Sequence, residues 1–327
     1  MNYELFEKLH QEGLVSTESL KKISEEKRRP LISLFWDLNT LLGFGVIAFT
    51  TGLGILIYKN IDTIGHQVIL VLIAAISIAC FTYCSKKKPP FTRFKSDAPT
   101  PIFDYVLLLG TLTMLTFAAY LQFQYEVFGT HYGLATFLPM VALFFIAYYF
   151  DHIGILNLAI LNLGIWIGVT VTPRQLLLAS TYHSETIIYT YLALGLFLAL
   201  LALLTKYYDF KAHFSFSFQH LGVHVTLISL LASYIYHYSM ATSFLWLFAM
   251  IILATLCYLQ ALKIKSFYFS LLALLYSYVA ACGLIWRIVF SMESKGGPFE
   301  LLLLFFIIST IGFAYLLKLT HQKIKAK

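Results

Sequence analysis

Charged side chains are scarce in this chain: Asp, Glu, Lys and Arg together make up 12% of 327 residues, where a soluble domain carries about 25%. So few charges cannot cover a surface that faces water all round, and with 59% hydrophobic residues the outer surface must face lipid. Cysteine is scarce as well. Cys80, Cys84, Cys257 and Cys282 all lie within or at the ends of apolar runs. Cys80 and Cys84 have the spacing of half a metal site, but no second pair completes a zinc set, so each reads as a small apolar residue. Residues 1–30 have no apolar core and mix acids with bases, so no cleaved signal peptide is expected there. Long polar loops are missing too. The longest connection between apolar runs is about 17 residues, too short for a soluble catalytic domain. The net charge of +7 comes without zinc-finger spacing, a Gly-rich phosphate loop or an RNA-binding motif, so no nucleic-acid partner is expected.

What is present is a series of ten apolar runs, near 39–58, 65–84, 103–123, 133–150, 153–172, 187–205, 218–238, 242–262, 266–286 and 300–318. About 20 apolar residues span a bilayer as a helix, so the expected fold is all-α, a polytopic membrane helix bundle of about ten transmembrane helices. The lipid bilayer is the first partner this implies. Only Asp151 and His152 separate the fourth run from the fifth, which makes these two a tight hairpin.

Ahead of them, residues 1–36 read as a small cytoplasmic helical hairpin, with residues 37–327 forming the transmembrane domain. Leu5 and Leu9 lie one turn apart, Gly13 breaks the pattern, and Ser16 can cap a second helix carrying Leu20 and Ile23. Thirty residues cannot bury a core alone. The apolar positions must rest on the membrane domain, on the membrane surface, on another protein or on a second copy.

With the N-terminus inside, 19 of the 23 Lys and Arg fall on cytoplasmic segments, and only Lys59, Arg174, Arg287 and Lys295 fall outside. That bias sets a multi-pass topology with both termini cytoplasmic. An odd number of spans would scramble it.

No Asp, Glu, Lys or Arg falls in the middle of any span. Asp37, Asp104, Asp151 and Arg287 sit at span ends, where water and snorkelling can satisfy them. Ion-coupled transport commonly places a carboxylate at mid-membrane, so its absence argues against coupling. Asn157 and Asn162 in the fifth span should hydrogen-bond to neighbouring helices or, with Gln122 and Gln124, line a polar path. Gly164 and Gly168 have the small-xxx-small spacing of close helix packing, and Gly43, Gly45, Gly52 and Gly54 suggest packing of the first span. Tyrosine clusters at span ends read as the interfacial aromatic belt.

In the seventh span, His220 and His224 share a face about 6 Å apart along the axis. His237 lies roughly 25 Å from His220, at the other membrane surface, so the three cannot form one site. His220 and His224, with Asp151 and His152 from the same side, are candidates for a divalent metal site. No HExxH general base accompanies them, and no cofactor is called for otherwise.

Three stretches, "LFEKLHQEGLVSTESL", "LGFGVIAFTTGLGILIYKNIDTIG" and "YLQFQYEVFGTHYGLATFLPMVALFFIAYYF", together resemble a family of bacterial predicted membrane proteins, domain of unknown function 2157. The resemblance covers roughly the first 150 residues. The family pattern Asn-Trp-Asp in the first outer loop stands here as Asn60-Ile61-Asp62, and a Gln-Ile-Tyr element is approximated by Gln122, Gln124 and Tyr125. It implies a polytopic fold of unassigned activity in the bacterial inner membrane and transfers no catalytic residue. The outer-face positions it nominates are Asn60, Asp62, Gln124 and Glu126.

Three functions fit these residues. The first is a non-enzymatic protein that binds or passes a small or lipid-like solute without ion coupling. The second is a scaffold that recruits a protein, or a second copy, through the N-terminal hairpin. The third, least favoured, is a metal-dependent intramembrane enzyme.

Overall fold

The computed structural model describes residues 9–10, 12, 14–16, 18–19, 34–96, 98–129, 132–171, 185–291 and 299–326. They form ten helices long and apolar enough to cross a membrane, each on an expected span. These are α1 (Leu34–Ile64), α2 (His66–Lys87), α3 (Pro101–Tyr125), α4 (Tyr132–Phe150), α5 (Ile153–Val171) and α6 (Glu185–Tyr207), then α7 (Ser215–Tyr236), α8 (Ser243–Lys263), α9 (Phe267–Ser291) and α10 (Phe299–Ala326). A short 3-10 turn, Ala212–Phe214, precedes α7. Most of the expected N-terminal hairpin lies outside the described residues. Within it, residues 9–10 and 18–19 are helical, and the Ser19 N–H donates to Ser16 Oγ at 3.2 Å.

The chain divides into two compact units, residues 1–87 with 98–117, and residues 88–97 with 118–327. In the first, Ile69, Leu70 and Ile73 of α2 and Phe103 and Leu107 of α3 are buried. Ser77 Oγ donates to the Gly110 carbonyl at 2.9 Å, and a Cβ on Gly110 would stand 2.8 Å from the Cβ of Cys80. Cys80 and Gly110 thus let two backbones approach, and Cys84 is fully buried beside Phe103. The expected loop after the first span is instead helical: α1 continues through Asn60 and Asp62 to Ile64, and Gly65 alone (φ +81°) turns the chain into α2. Only glycine takes that conformation without strain. The glycines of α1 are not packing devices within the described residues. A Cβ on Gly43, Gly45, Gly52 or Gly54 would meet nothing within 4 Å.

The second unit is built around α7. Half of its spanning window is buried, against 22% for α6 and α8 and 28% for α9, yet its mean hydropathy of 1.3 is the lowest of the ten. Lipid tails are as apolar as leucine, so small and polar side chains turn towards protein and greasy ones towards lipid. Ser215, Gly222, Thr226, Ser229 and Ser233 accordingly point inward. Helices α6 and α7 approach closely, and a Cβ on Gly195 would lie 2.6 Å from the Thr226 backbone nitrogen. On the other side, Val223, Leu227, Leu230 and Tyr234 of α7 pack with Leu247 and Met250 of α8 and with Leu272 and Ala280 of α9.

Candidate functional site

The α4–α5 hairpin places the first cluster. Asp151 adopts φ +59°, and the His152 N–H donates to the Ala147 carbonyl at 3.0 Å, the closing bond of a left-handed helix cap. His152 Nδ1 then accepts the Ile155 N–H at 3.1 Å, so the imidazole caps α5. The Asp151 carboxylate faces two other connections of the same unit. Its Oδ2 lies 3.0 Å from Lys211 Nζ and accepts the Ser96 N–H at 2.6 Å, while Oδ1 lies 2.7 Å from His213 Nε2. The Lys211 N–H donates to the Arg93 carbonyl at 2.8 Å. The Lys211 and Asp151 side chains are only 2% and 6% exposed, and Lys211 itself is left-handed, at φ +49°. One buried carboxylate therefore ties segment 88–97, the 151–152 turn and segment 206–214 together. Phe210 stacks on Tyr148 at 6.2 Å, and the Lys88 ammonium sits 3.3 Å above the Tyr149 ring. The cleft between Lys88, Phe91, Tyr149, Asp151 and Lys211 has room for about one water molecule.

The second cluster lies on α7 and α9. Tyr268 Oη is hydrogen-bonded to His220 Nδ1 and, at 3.2 Å, to His224 Nε2. His224 Nδ1 in turn meets Tyr276 Oη at 3.0 Å. The two imidazoles stand edge to face at 4.8 Å, and Phe216 stacks on His220 at 6.0 Å. A tyrosine hydroxyl carries one proton, so Tyr268 can donate to only one imidazole, and the other must supply an N–H. The ladder ends at Tyr276, which packs against the apolar cluster around Leu227 and Leu272. Its other side is open: Tyr268 is 37% exposed and Phe216 51%, each in the first turn of a spanning helix.

His220 and His224 stand together, but the four proposed metal ligands do not gather into one site. Asp151 turns to Lys211 and His213, His152 to the start of α5, and His220 and His224 to the tyrosines of α9. Among the described residues no three of His, Cys, Asp and Glu form a group able to hold a metal ion.

The polar-lining candidates also separate. Gln122 holds its own turn, its amide donating to the Gly129 carbonyl at 2.9 Å and accepting the Phe128 N–H at 3.1 Å. Gln124 is half-buried, and Glu126 is exposed in a left-handed turn. The amide oxygens of Asn157 and Asn162 are buried without a hydrogen-bond partner among the described residues, not bonded across helices. Gly164 and Gly168 make room for a side chain: Tyr191 of α6 donates to the Gly164 carbonyl at 2.9 Å, and a Cβ on Gly168 would strike its hydroxyl. The side chains of Asn60 and Asp62 lie outside the described residues. At the other end of α7, His237 Nε2 lies 3.4 Å from Glu185 Oε1, away from the other two histidines.

Lys211, His213, Tyr268 and Tyr276 do not stand out in the sequence. Two signals were available. Alternation of the spans puts "KYYDFKAHF" on the side of Asp151, and Tyr276 lies mid-span, where an interfacial belt has no use for a phenol.

Residues 7–156 match the model of a family described as "Predicted membrane protein (DUF2157)". No curated protein and no solved structure matches the chain.

Proposed function

We propose that this membrane protein binds a lipid-like solute, with the solute's polar end at the histidine–tyrosine ladder of α7 and α9. The observation that carries the reading is the half-open position of His220, His224, Tyr268 and Tyr276 on spanning helices. Hydrogen-bonding groups turned towards hydrocarbon cost free energy unless a partner meets them. The ladder meets most of this demand within itself, and an amphiphile approaching sideways from the bilayer adds a partner for His220, bonded through Nδ1 alone, its tail staying in lipid. The ladder stops at an apolar core, which favours binding over a proton path. The spans hold no mid-membrane carboxylate or cation, which fits a process without ion coupling.

The orientation in this proposal keeps segments 88–97 and 206–214 and both termini in the cytoplasm, as the bias of Lys and Arg favours.

The test is native mass spectrometry of the full chain released from membranes in lipid nanodiscs. Wild type should retain an amphiphile that Tyr268→Phe and His224→Leu lose, with unchanged helical circular dichroism. Equal retention in all three proteins would remove the ladder from the reading.

A further inference from the structure

At the end of α9 opposite the ladder, Arg287 lies in the last turn and a half of the helix. Its guanidinium carbon sits 4.3 Å from the centre of the Phe244 ring and 5.0 Å from that of Tyr238, and Nη1 donates to Ser243 Oγ. Ser243 is the first residue of α8, and its hydroxyl is already committed to the Met240 carbonyl at 2.8 Å. One turn earlier on α9, the Tyr234 hydroxyl donates to the Gly283 carbonyl at 3.0 Å, which fixes α7 against this segment. A Cβ on Gly283 would crowd that ring at 3.3 Å. The arginine is thus held by ring faces and by two hydroxyls, those of Ser243 and Tyr234, which leaves others of its five guanidinium N–H groups unengaged.

Among the described residues no carboxylate pairs with it. Glu185, an acid at this end of the unit, is engaged by the Tyr189 hydroxyl at 2.7 Å and by His237. The carbonyl end of α9 offers only a fraction of a negative charge, and the start of α8 adds a fraction of a positive one. A cation near a bilayer surface, fixed by aromatic faces and without a carboxylate partner among the described residues, invites an anion from outside. Phe244 and Tyr238 are 47% and 38% exposed, so the approach is open.

We propose that Arg287, braced by Tyr238, Phe244 and Ser243, binds a phosphate-type oxyanion through two parallel N–H···O bonds. The guanidinium edge matches two such oxygens, and no ammonium can reproduce that fork. A phospholipid headgroup and a free phosphate ester share this chemistry. The site is separate from the ladder and does not depend on it.

Two arms distinguish the sources. In the first, the detergent-solubilised full chain is titrated with inorganic phosphate against sodium chloride of equal ionic strength, and thermal unfolding is followed. In the second, the chain is reconstituted in nanodiscs of phosphatidylglycerol mixed with phosphatidylcholine, and retained phosphatidylglycerol is counted by native mass spectrometry. A response in the first arm that Arg287→Gln abolishes identifies a soluble phosphate; one confined to the second identifies a headgroup. Arg287→Lys should weaken whichever response is seen about tenfold, a difference of about 1.4 kcal/mol. Should Arg287→Gln fail to fold, Phe244→Leu decides. It keeps the charge but loosens the brace and should also bind several-fold more weakly. No response in either arm, or full binding by Arg287→Gln or by Phe244→Leu, overturns the proposal.

Discussion

A carboxylate that accepts hydrogen bonds from an ammonium and a backbone amide, and meets an imidazole as well, cannot lose its charge without stranding its partners. Asp151 is in that position, and its two side-chain partners, Lys211 and His213, are not equivalent. Asp151→Asn leaves the Lys211 ammonium buried with no counter-charge, and breaking a buried pair in this way costs about 3 kcal/mol or more. Lys211→Met leaves the carboxylate with the Ser96 amide and His213, and methionine fills the same space, so its cost should be clearly smaller. The backbone sharpens the comparison. Asparagine and glycine both suit the left-handed φ of +59° at position 151, so a loss of stability in Asp151→Asn and Asp151→Gly must come from the side chain. The measurement is unfolding of the four proteins in the same detergent. A double variant Asp151→Asn/Lys211→Met more stable than the sum of the single losses would report the pair itself. The sequence marked Asp151 and His152 as polar groups to be accounted for, but it could not choose their partners. Lys211 is some 60 residues away, and only the folding of three connections onto one carboxylate brings it near.

Among the helices, glycine spacing alone did not separate packing from exposure. The first span carries four glycines and looks built for close approach, whereas Gly195 and Gly222, the single glycines of α6 and α7, make the tight contact. The deciding information is what stands opposite, which lies in another part of the chain. At Gly195 an added Cβ would meet the Thr226 nitrogen at 2.6 Å and the Gly222 carbonyl at 3.0 Å, and backbone atoms cannot swing aside. Gly195→Ala and Gly222→Ala should therefore push α6 from α7 and cost about 1–3 kcal/mol, the range for an overpacked core. Gly43→Ala and Gly52→Ala add a methyl to open space and, by helix propensity, should be neutral or stabilising by up to about 1 kcal/mol. Thermal unfolding of the four variants separates the two groups. If Gly43→Ala proved as damaging as Gly195→Ala, α1 would have to pack through its glycines against something other than the described residues. The histidine-bearing span tells the complementary story. Its low hydropathy was visible in the sequence, and the inward turn of Ser, Thr and Gly is what membrane packing makes of it.

For the whole molecule, the number and order of the spans were legible because a hydrocarbon layer about 30 Å thick demands an unbroken apolar run at each crossing. Which crossings touch was not legible, because every span meets that demand equally. The Asp151 cluster adds a check that hydropathy cannot supply. Segment 88–97, the 151–152 turn and segment 206–214 follow an even number of crossings each, so ten spans place them on one side, and there they meet. Nine spans, with α4 and α5 merged into one, would put segments 88–97 and 206–214 on opposite sides and break the Lys211 bond to the Arg93 carbonyl. Single cysteines at exposed positions of the second unit test this directly in a background with Cys80, Cys84, Cys257 and Cys282 replaced. Thr92→Cys and Tyr208→Cys must behave alike, and so must Val127→Cys and Ala241→Cys, whichever way the chain inserts. With the positively charged segments inside, a membrane-impermeant maleimide added to intact spheroplasts should label the second pair fully and the first only after lysis. Labelling of Thr92→Cys and Tyr208→Cys from opposite sides would end the ten-span order. Labelling of both from outside would keep that order and reverse its orientation.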